Sequence, residues 1–215
     1  MSIDMFQFQT DVHNKPITKS MGQCHLVPLV RAADEHSAVL VQLSGGGTIP
    51  ASFGIEDKIW PGGRRSVTLA LKIESEAEHA ALDRLRGDVV EVAERAWGEW
   101  YPDTAVPASD RLATMCRGLV TARKPKQDGL GEWPGVAKCS IVPLDCDEAT
   151  GNCKIVDRDT EAIVPFEQLP GMSWHKAIFE LRYIYIQNTQ SYGLSKKLRF
   201  LLCSEGEQRG EAVSI

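Results

Sequence analysis

Nowhere does the sequence hold an apolar run approaching the roughly 20 residues that cross a bilayer. Its start, Met1-Ser2-Ile3-Asp4-Met5-Phe6, lacks the basic opening and apolar centre of a signal peptide. The expectation is a soluble, intracellular protein without membrane contact. The six cysteines (Cys24, Cys116, Cys139, Cys146, Cys153 and Cys203) form no CxxC pair, which argues for reduced packing thiols over a disulfide framework or a zinc site. His13, His25, His36, His79 and His175 stand alone, with no HxH or HExxH spacing. There is no GxSxG elbow, no Walker lysine and no full GxGxxG run. No metal, cofactor or catalytic residue is therefore assigned, and no enzymatic activity is expected, although a triad gathered from distant residues would leave no such trace. An excess of positive charge is lacking too: the net charge of -5 excludes a protein that coats duplex DNA by bulk attraction, while leaving room for a local basic groove.

What is present begins with size. A chain of 215 residues with 43% hydrophobic content can bury a real core and is short for two well-built domains. Residues 1–110 carry ten Lys/Arg against sixteen Asp/Glu and residues 111–215 fourteen against thirteen, so an anionic ligand is sought in the second half. Dense apolar, β-branched stretches predict strands over Cys24–Val30 and Ser37–Leu43. Ser44-Gly45-Gly46-Gly47-Thr48 ends the second as a flexible turn, because no Gly-Lys-Ser/Thr follows to make it a phosphate loop. Strict alternation of Val67, Leu69, Leu71 and Ile73 predicts a half-buried strand after the Pro61-Gly62-Gly63 turn. The adjoining Arg64 and Arg65 face either solvent or a ligand.

Ser75 and Glu78 have capping-box spacing, and Leu82, Leu85, Val89, Val92 and Ala96 recur at helical intervals as far as Trp97. Gly87 inside this helix suggests a kink or close packing. Trp97, Trp100 and Tyr101 read as anchors to a sheet rather than ligand contacts. A short strand or helix is expected around Leu112–Val120, followed by strands at Val136–Pro143, Lys154–Asp157 and Glu161–Val164. The Asp145–Asn152 turn is rejected as a calcium loop, since Ala149, Thr150 and Val156 stand where ligands and the invariant glycine belong.

The most informative stretches combine rings with cations. Thr121 to Pro134 is a basic loop rich in glycine and proline, with Arg123, Lys124 and Lys126, and it presents Trp133 to solvent or to a ligand. Lys176–Leu202 reads as a hairpin. On its first strand Ala177, Phe179, Leu181, Tyr183 and Tyr185 share one face. On its second Lys196, Leu198, Phe200 and Leu202 alternate with Ser195, Lys197, Arg199 and Leu201. The polar loop Gln187–Gly193 joins them, with Tyr192 beside the glycine that closes the turn. Rings near cations suit a polyanion with flat bases, and an amphipathic hairpin that binds nothing fits the pattern equally well.

Three stretches of the second half resemble the single-stranded-DNA-binding proteins of bacteriophages and large DNA viruses. They are Thr121–Ser140, the strand that follows Trp174-His175-Lys176, and Tyr192-Gly193-Leu194-Ser195-Lys196-Lys197-Leu198; Trp97-Gly98-Glu99-Trp100-Tyr101 adds to the likeness. The resemblance implies a mainly β chain with one long helix (α+β), built as an OB-fold-like β-barrel with elaborations. An irregular arm over 1–22 would precede a barrel domain over 23–204, with the helix inserted at about 76–97, and a tail over 205–215 would follow. The tail departs from the family's strongly acidic ending, since Glu205, Glu207 and Glu211 are diluted by Arg209. The implied function is sequence-nonspecific binding of single-stranded DNA, or of RNA, in replication, recombination or repair. Trp133, Tyr183, Tyr185 and Tyr192 would stack on bases, and Arg123, Lys124, Lys126, Lys138, Arg182, Lys197 and Arg199 would meet phosphates. Replication proteins and a second copy of the chain are the implied partners, and the nucleus or a viral replication site the implied location. The alternative is a non-enzymatic protein-interaction or assembly subunit on a β-barrel scaffold that does not bind nucleic acid.

Overall fold

Alternation in the sequence becomes alternation in burial. A computed structural model describes residues 17–18, 24–28, 39–59, 65–101, 103–141, 153–187 and 191–205. The turns at 61–63 and 145–152, nearly all of the 1–22 arm and most of the tail lie outside the described residues. In chain order the elements are β1 (Ile17–Thr18), β2 (Cys24–Pro28), β3 (Val39–Leu43), β4 (Gly47–Thr48), β5 (Ile55–Ile59), β6 (Arg65–Ile73), α1 (Glu76–Trp100), α2 (Ser109–Met115), β7 (Cys116–Arg117), β8 (Lys124–Pro125), β9 (Glu132–Trp133), β10 (Gly135–Ile141), β11 (Lys154–Asp157), β12 (Ser173–Gln187) and β13 (Ser191–Ser204). Val39, Val41 and Leu43 of β3 are buried while Leu40 and Gln42 are exposed, and Val67, Leu69, Leu71 and Ile73 of β6 are wholly interior, as the period-2 patterns require. Glu161–Val164 is not a strand: only an isolated bridge joins Val156 to Ile163. The ambiguous stretch near Leu112 resolves into both alternatives, the end of α2 and then β7.

Ser75 caps α1, its hydroxyl accepting from the Glu78 N–H at 3.3 Å. The helix continues one turn past the expected end, and Leu82, Leu85, Val89, Val92, Ala93, Ala96, Trp97 and Trp100 form its buried stripe. Each fully buried Leu or Val contributes about 1.5–3 kcal/mol, so the stripe, not helix propensity, holds α1 against β6, β7, β13 and α2. A Cβ on Gly87 would meet nothing within 4 Å, so this glycine serves no close packing. The Glu78 carboxylate does not complete a capping box. It reaches instead to the glycine turn, where Oε1 accepts from the N–H groups of Ser44 (2.5 Å) and Gly45 (2.8 Å). Two of the amides that a phosphate loop would offer a ligand are thus taken by the chain's own carboxylate.

The main sheet follows the path β1-β2-β12-β13-β10-β6-β5, with β3 and β4 also pairing β12, and β7 and β11 pairing β13. The sheet curls without closing into a barrel, which corrects the expected architecture: among the described residues β1 and β5 end the path unpaired with each other. At the curled end the Trp174 indole N–H donates to the Lys72 carbonyl at 2.9 Å, and Gly47 sits so close that a Cβ there would lie 2.1 Å from the same oxygen. This approach draws the sheet around its core through one indole bond where a ladder would be needed for closure.

Candidate nucleic-acid interface

Two of the three register irregularities between β12 and β13 decide which rings the long hairpin offers. In the β12–β13 ladder Leu181 faces Lys196 and Ile184 faces Leu194, so three steps on β12 oppose two on β13. The extra residue reverses the parity of β12. Ile184 and Ile186 enter the core, each 1% exposed, and Tyr183 and Tyr185 turn to the opposite, half-exposed face. The expectation that both tyrosines share a face with Ala177, Phe179 and Leu181 is corrected accordingly. A second irregularity lies nearby, where Ile178 faces Phe200 while Phe179 faces Leu198, so one step on β12 meets two on β13. Leu198 and Leu201 are then both interior, and Phe200 joins Ile178 on the open face. Plain alternation places Phe200 with Leu198, which is why the sequence did not nominate it.

Cross-strand partners share a face, so the register spreads this surface sideways. Lys197 faces Glu180 on β12 and Ser140 on β10. Exposed Lys138 lies two residues along β10 on the same side. Exposed Lys154 of β11 faces Phe200, and half-exposed Lys176 faces Leu202. One surface therefore gathers Tyr183, Tyr185 and Phe200 with Lys138, Lys154, Lys176 and Lys197. Of these Lys154, Lys176 and Phe200 were not nominated from sequence. Arg199 also reaches this face, where its guanidinium forms an ion pair with the Glu180 carboxylate. Arg182 occupies the β12 irregularity, and its side chain is outside the described residues.

The basic loop is a small hairpin. β8 and β9 pair with Lys124 opposite Trp133, and the Lys126 ammonium sits 5.4 Å from the Trp133 ring centroid, a cation–π arrangement. Trp133 is 55% exposed, so its outer ring face remains accessible. Arg123 is committed to the start of α1, donating to the Glu74 carbonyl at 3.0 Å and lying 3.5 Å from the Glu76 carboxylate. It anchors the hairpin rather than projecting from it. Pro134 leads the hairpin directly into β10, and five residue steps of extended chain, at most about 18 Å, lead from Trp133 to Lys138.

Tyr192 belongs to the core. It is 0% exposed, its hydroxyl donates to the Leu112 carbonyl at 2.9 Å, and its ring meets Trp97 and Trp100 edge-on at 6.3 and 6.4 Å. Burial raises its phenol well above the usual tyrosine range. Neither Tyr192 nor Gly193 lies in a turn, since Ile186–Tyr192 and Tyr185–Gly193 are ladder pairs. The anchor reading of Trp97, Trp100 and Tyr101 agrees with their packing. Lys196 is interior as well: its ammonium donates to the Leu119 carbonyl at 2.5 Å, and burial pulls its pKa down to about 8. The described thiols, Cys116, Cys139, Cys153 and Cys203, are buried and free of disulfides. His175 Nε2 lies 2.8 Å from Ser204 Oγ, but among the described residues no carboxylate bonds that histidine to complete a triad. No described helix is long and apolar enough to cross a membrane.

No protein-family model matches the sequence, and no curated protein does. Among solved structures the chain is similar to the single-stranded DNA-binding protein from bacteriophage Enc34 in complex with ssDNA, with a TM-score of 0.44 and 10% identity over 92% of this chain and 98% of that one. It is also similar to a second structure of the single-stranded DNA-binding protein from bacteriophage Enc34 (TM-score 0.38, 11% identity, 93% and 94% covered) and to its C-terminal truncation (TM-score 0.39, 12% identity, 91% and 96% covered). Likeness this low transfers neither a site nor an activity.

Proposed function

We propose that this protein binds single-stranded DNA, without preference for base sequence, across the open face of β12 and β13 and their neighbours β10 and β11. One observation carries the reading: the two ladder irregularities bring Tyr183, Tyr185 and Phe200 to the surface that bears Lys138, Lys154, Lys176 and Lys197. Half-exposed rings offer flat partners to unstacked bases, and each base stacked on a ring is worth about 1–3 kcal/mol. The lysines offer point charges to a backbone that passes at varying height. Rings and ammonium groups read no base edges, so one base should serve as well as another. Trp133, with Lys124 and Lys126 beside it, extends the surface at the entrance to β10. Such a binder would act in replication, recombination or repair, where unpaired DNA is exposed.

Fluorescence anisotropy with labelled oligo-dT, a mixed-sequence single strand, its duplex and the matching RNA, each at low and moderate salt, tests this. The expected result is tight binding to both single-stranded DNAs, weaker binding to duplex, and loss of affinity as salt rises. Absence of any complex with oligo-dT at low salt overturns the reading.

A further inference from the structure

A carboxylate stands in the middle of the surface just described. Glu180 is 8% exposed, faces Lys197 across the ladder and Leu40 of β3 on its other side, and is ion-paired to Arg199. A buried carboxylate is stable only when paired, so Arg199 is retained by its neighbour before any ligand arrives. Arg199 is then a poor phosphate contact. A cation that already has a fixed protein counterion has no mobile ion to release when DNA binds, and counterion release supplies much of the salt-dependent affinity. The carboxylate also repels the phosphate path that the surrounding lysines attract. Resting on the single-stranded DNA reading, we propose that Glu180 is an affinity-limiting residue of that surface. It keeps Arg199 out of the phosphate contacts and lowers the attraction of the face for DNA, so that the bound strand can be displaced.

The experiment measures oligo-dT affinity against salt for the wild type, Glu180→Gln, Arg199→Gln and the double variant, with thermal melts to confirm folding. Glu180→Gln keeps the shape and removes the charge. Arg199 then gains a counterion to release, so binding tightens by roughly three- to ten-fold at low salt and the slope of log K against log salt steepens by about 0.7. Arg199→Gln alone weakens binding by removing the guanidinium that offsets the carboxylate but leaves the slope unchanged. Combining the two returns affinity close to wild type. If Arg199 contacts phosphate instead, Arg199→Gln flattens the slope by about 0.7 and the double variant stays weak, and the proposal falls. The Arg199→Gln slope decides the matter even if Glu180→Gln does not fold. A wild type that binds DNA while Glu180→Gln changes neither affinity nor slope overturns this inference alone. A wild type that binds no DNA overturns the functional reading and this inference with it.

Discussion

Tyrosines that look alike in the sequence separate sharply by environment. Tyr183 and Tyr185 stand half-exposed on the lysine-bearing face, whereas Tyr192 is enclosed by α1 and α2. Tyr183→Ala and Tyr185→Ala should each weaken oligo-dT binding by roughly five- to a hundred-fold, the range that one lost ring stack allows, with little change in the urea midpoint. Tyr192 should do the reverse: Tyr192→Phe removes the donor to the Leu112 carbonyl and costs about 1 kcal/mol, Tyr192→Ala costs about 3–5 kcal/mol, and the folded fraction of either binds DNA like wild type. Equal losses of affinity at all three positions would contradict this division. Buried ionisable groups give the chain a characteristic pH response. Because burial holds Lys196 down at about 8, above that pH the unfolded chain keeps a proton that the folded chain has released, and stability rises with pH. The thiols act oppositely. Burial raises Cys139 to about 12 and Cys116 and Cys203 to about 11, so above the ordinary thiol value of 9.0 the folded chain keeps protons that the unfolded chain loses, and stability falls. Urea midpoints should therefore peak near about pH 9. Lys196→Met should abolish the rise while leaving the fall.

Within elements, glycine has opposite meanings at two positions. Gly87 lies on the exposed side of α1 with open space around its missing Cβ. Gly87→Ala should stabilise the protein by about 0.5–1 kcal/mol through the unfolded chain's lost freedom, read as a raised denaturation midpoint; a lowered midpoint would mean the helix depends on that glycine. Gly47, with φ +156 and the Lys72 carbonyl in the way of any side chain, should not tolerate alanine. Gly47→Ala forces the sheet apart at its curled end, at a cost above about 2 kcal/mol, and would show as a broadened or lowered melt. Strong local periodicity made α1, β3 and β6 legible in advance, because burial on one side imposes 3.6 or 2 on the sequence. Pieces of two residues, such as β4, β7, β8 and β9, have no room to show a period, and only their partners define them.

For the whole molecule, a net charge of -5 means that the proposed attraction to DNA must be local. The face carries four lysines that were not all foreseeable together: Lys138 and Lys197 come from strands paired in parallel at one point, Ser140 with Lys197, and Lys154 and Lys176 join from β11 and β12. Changing Lys138 and Lys176 together to Gln should flatten the salt slope by about 1.4, twice the increment for one phosphate on a single strand, and should weaken all single-stranded sequences alike. A loss confined to one sequence would point to base readout.

By itself the sequence determined a β-rich chain with one capped amphipathic helix, thiols kept as packing groups, and a carboxyl-terminal hairpin mixing rings with cations, because each of these is written in local composition and period. Only the tertiary structure decided which rings face outward, since one extra residue against a partner strand reverses every side chain beyond it. It alone decided that Tyr192 is core, Arg123 an anchor and Arg199 the partner of Glu180. Burial and ion pairing depend on what lies opposite in space, and that is set by strand register and by the helices lying over the inner face.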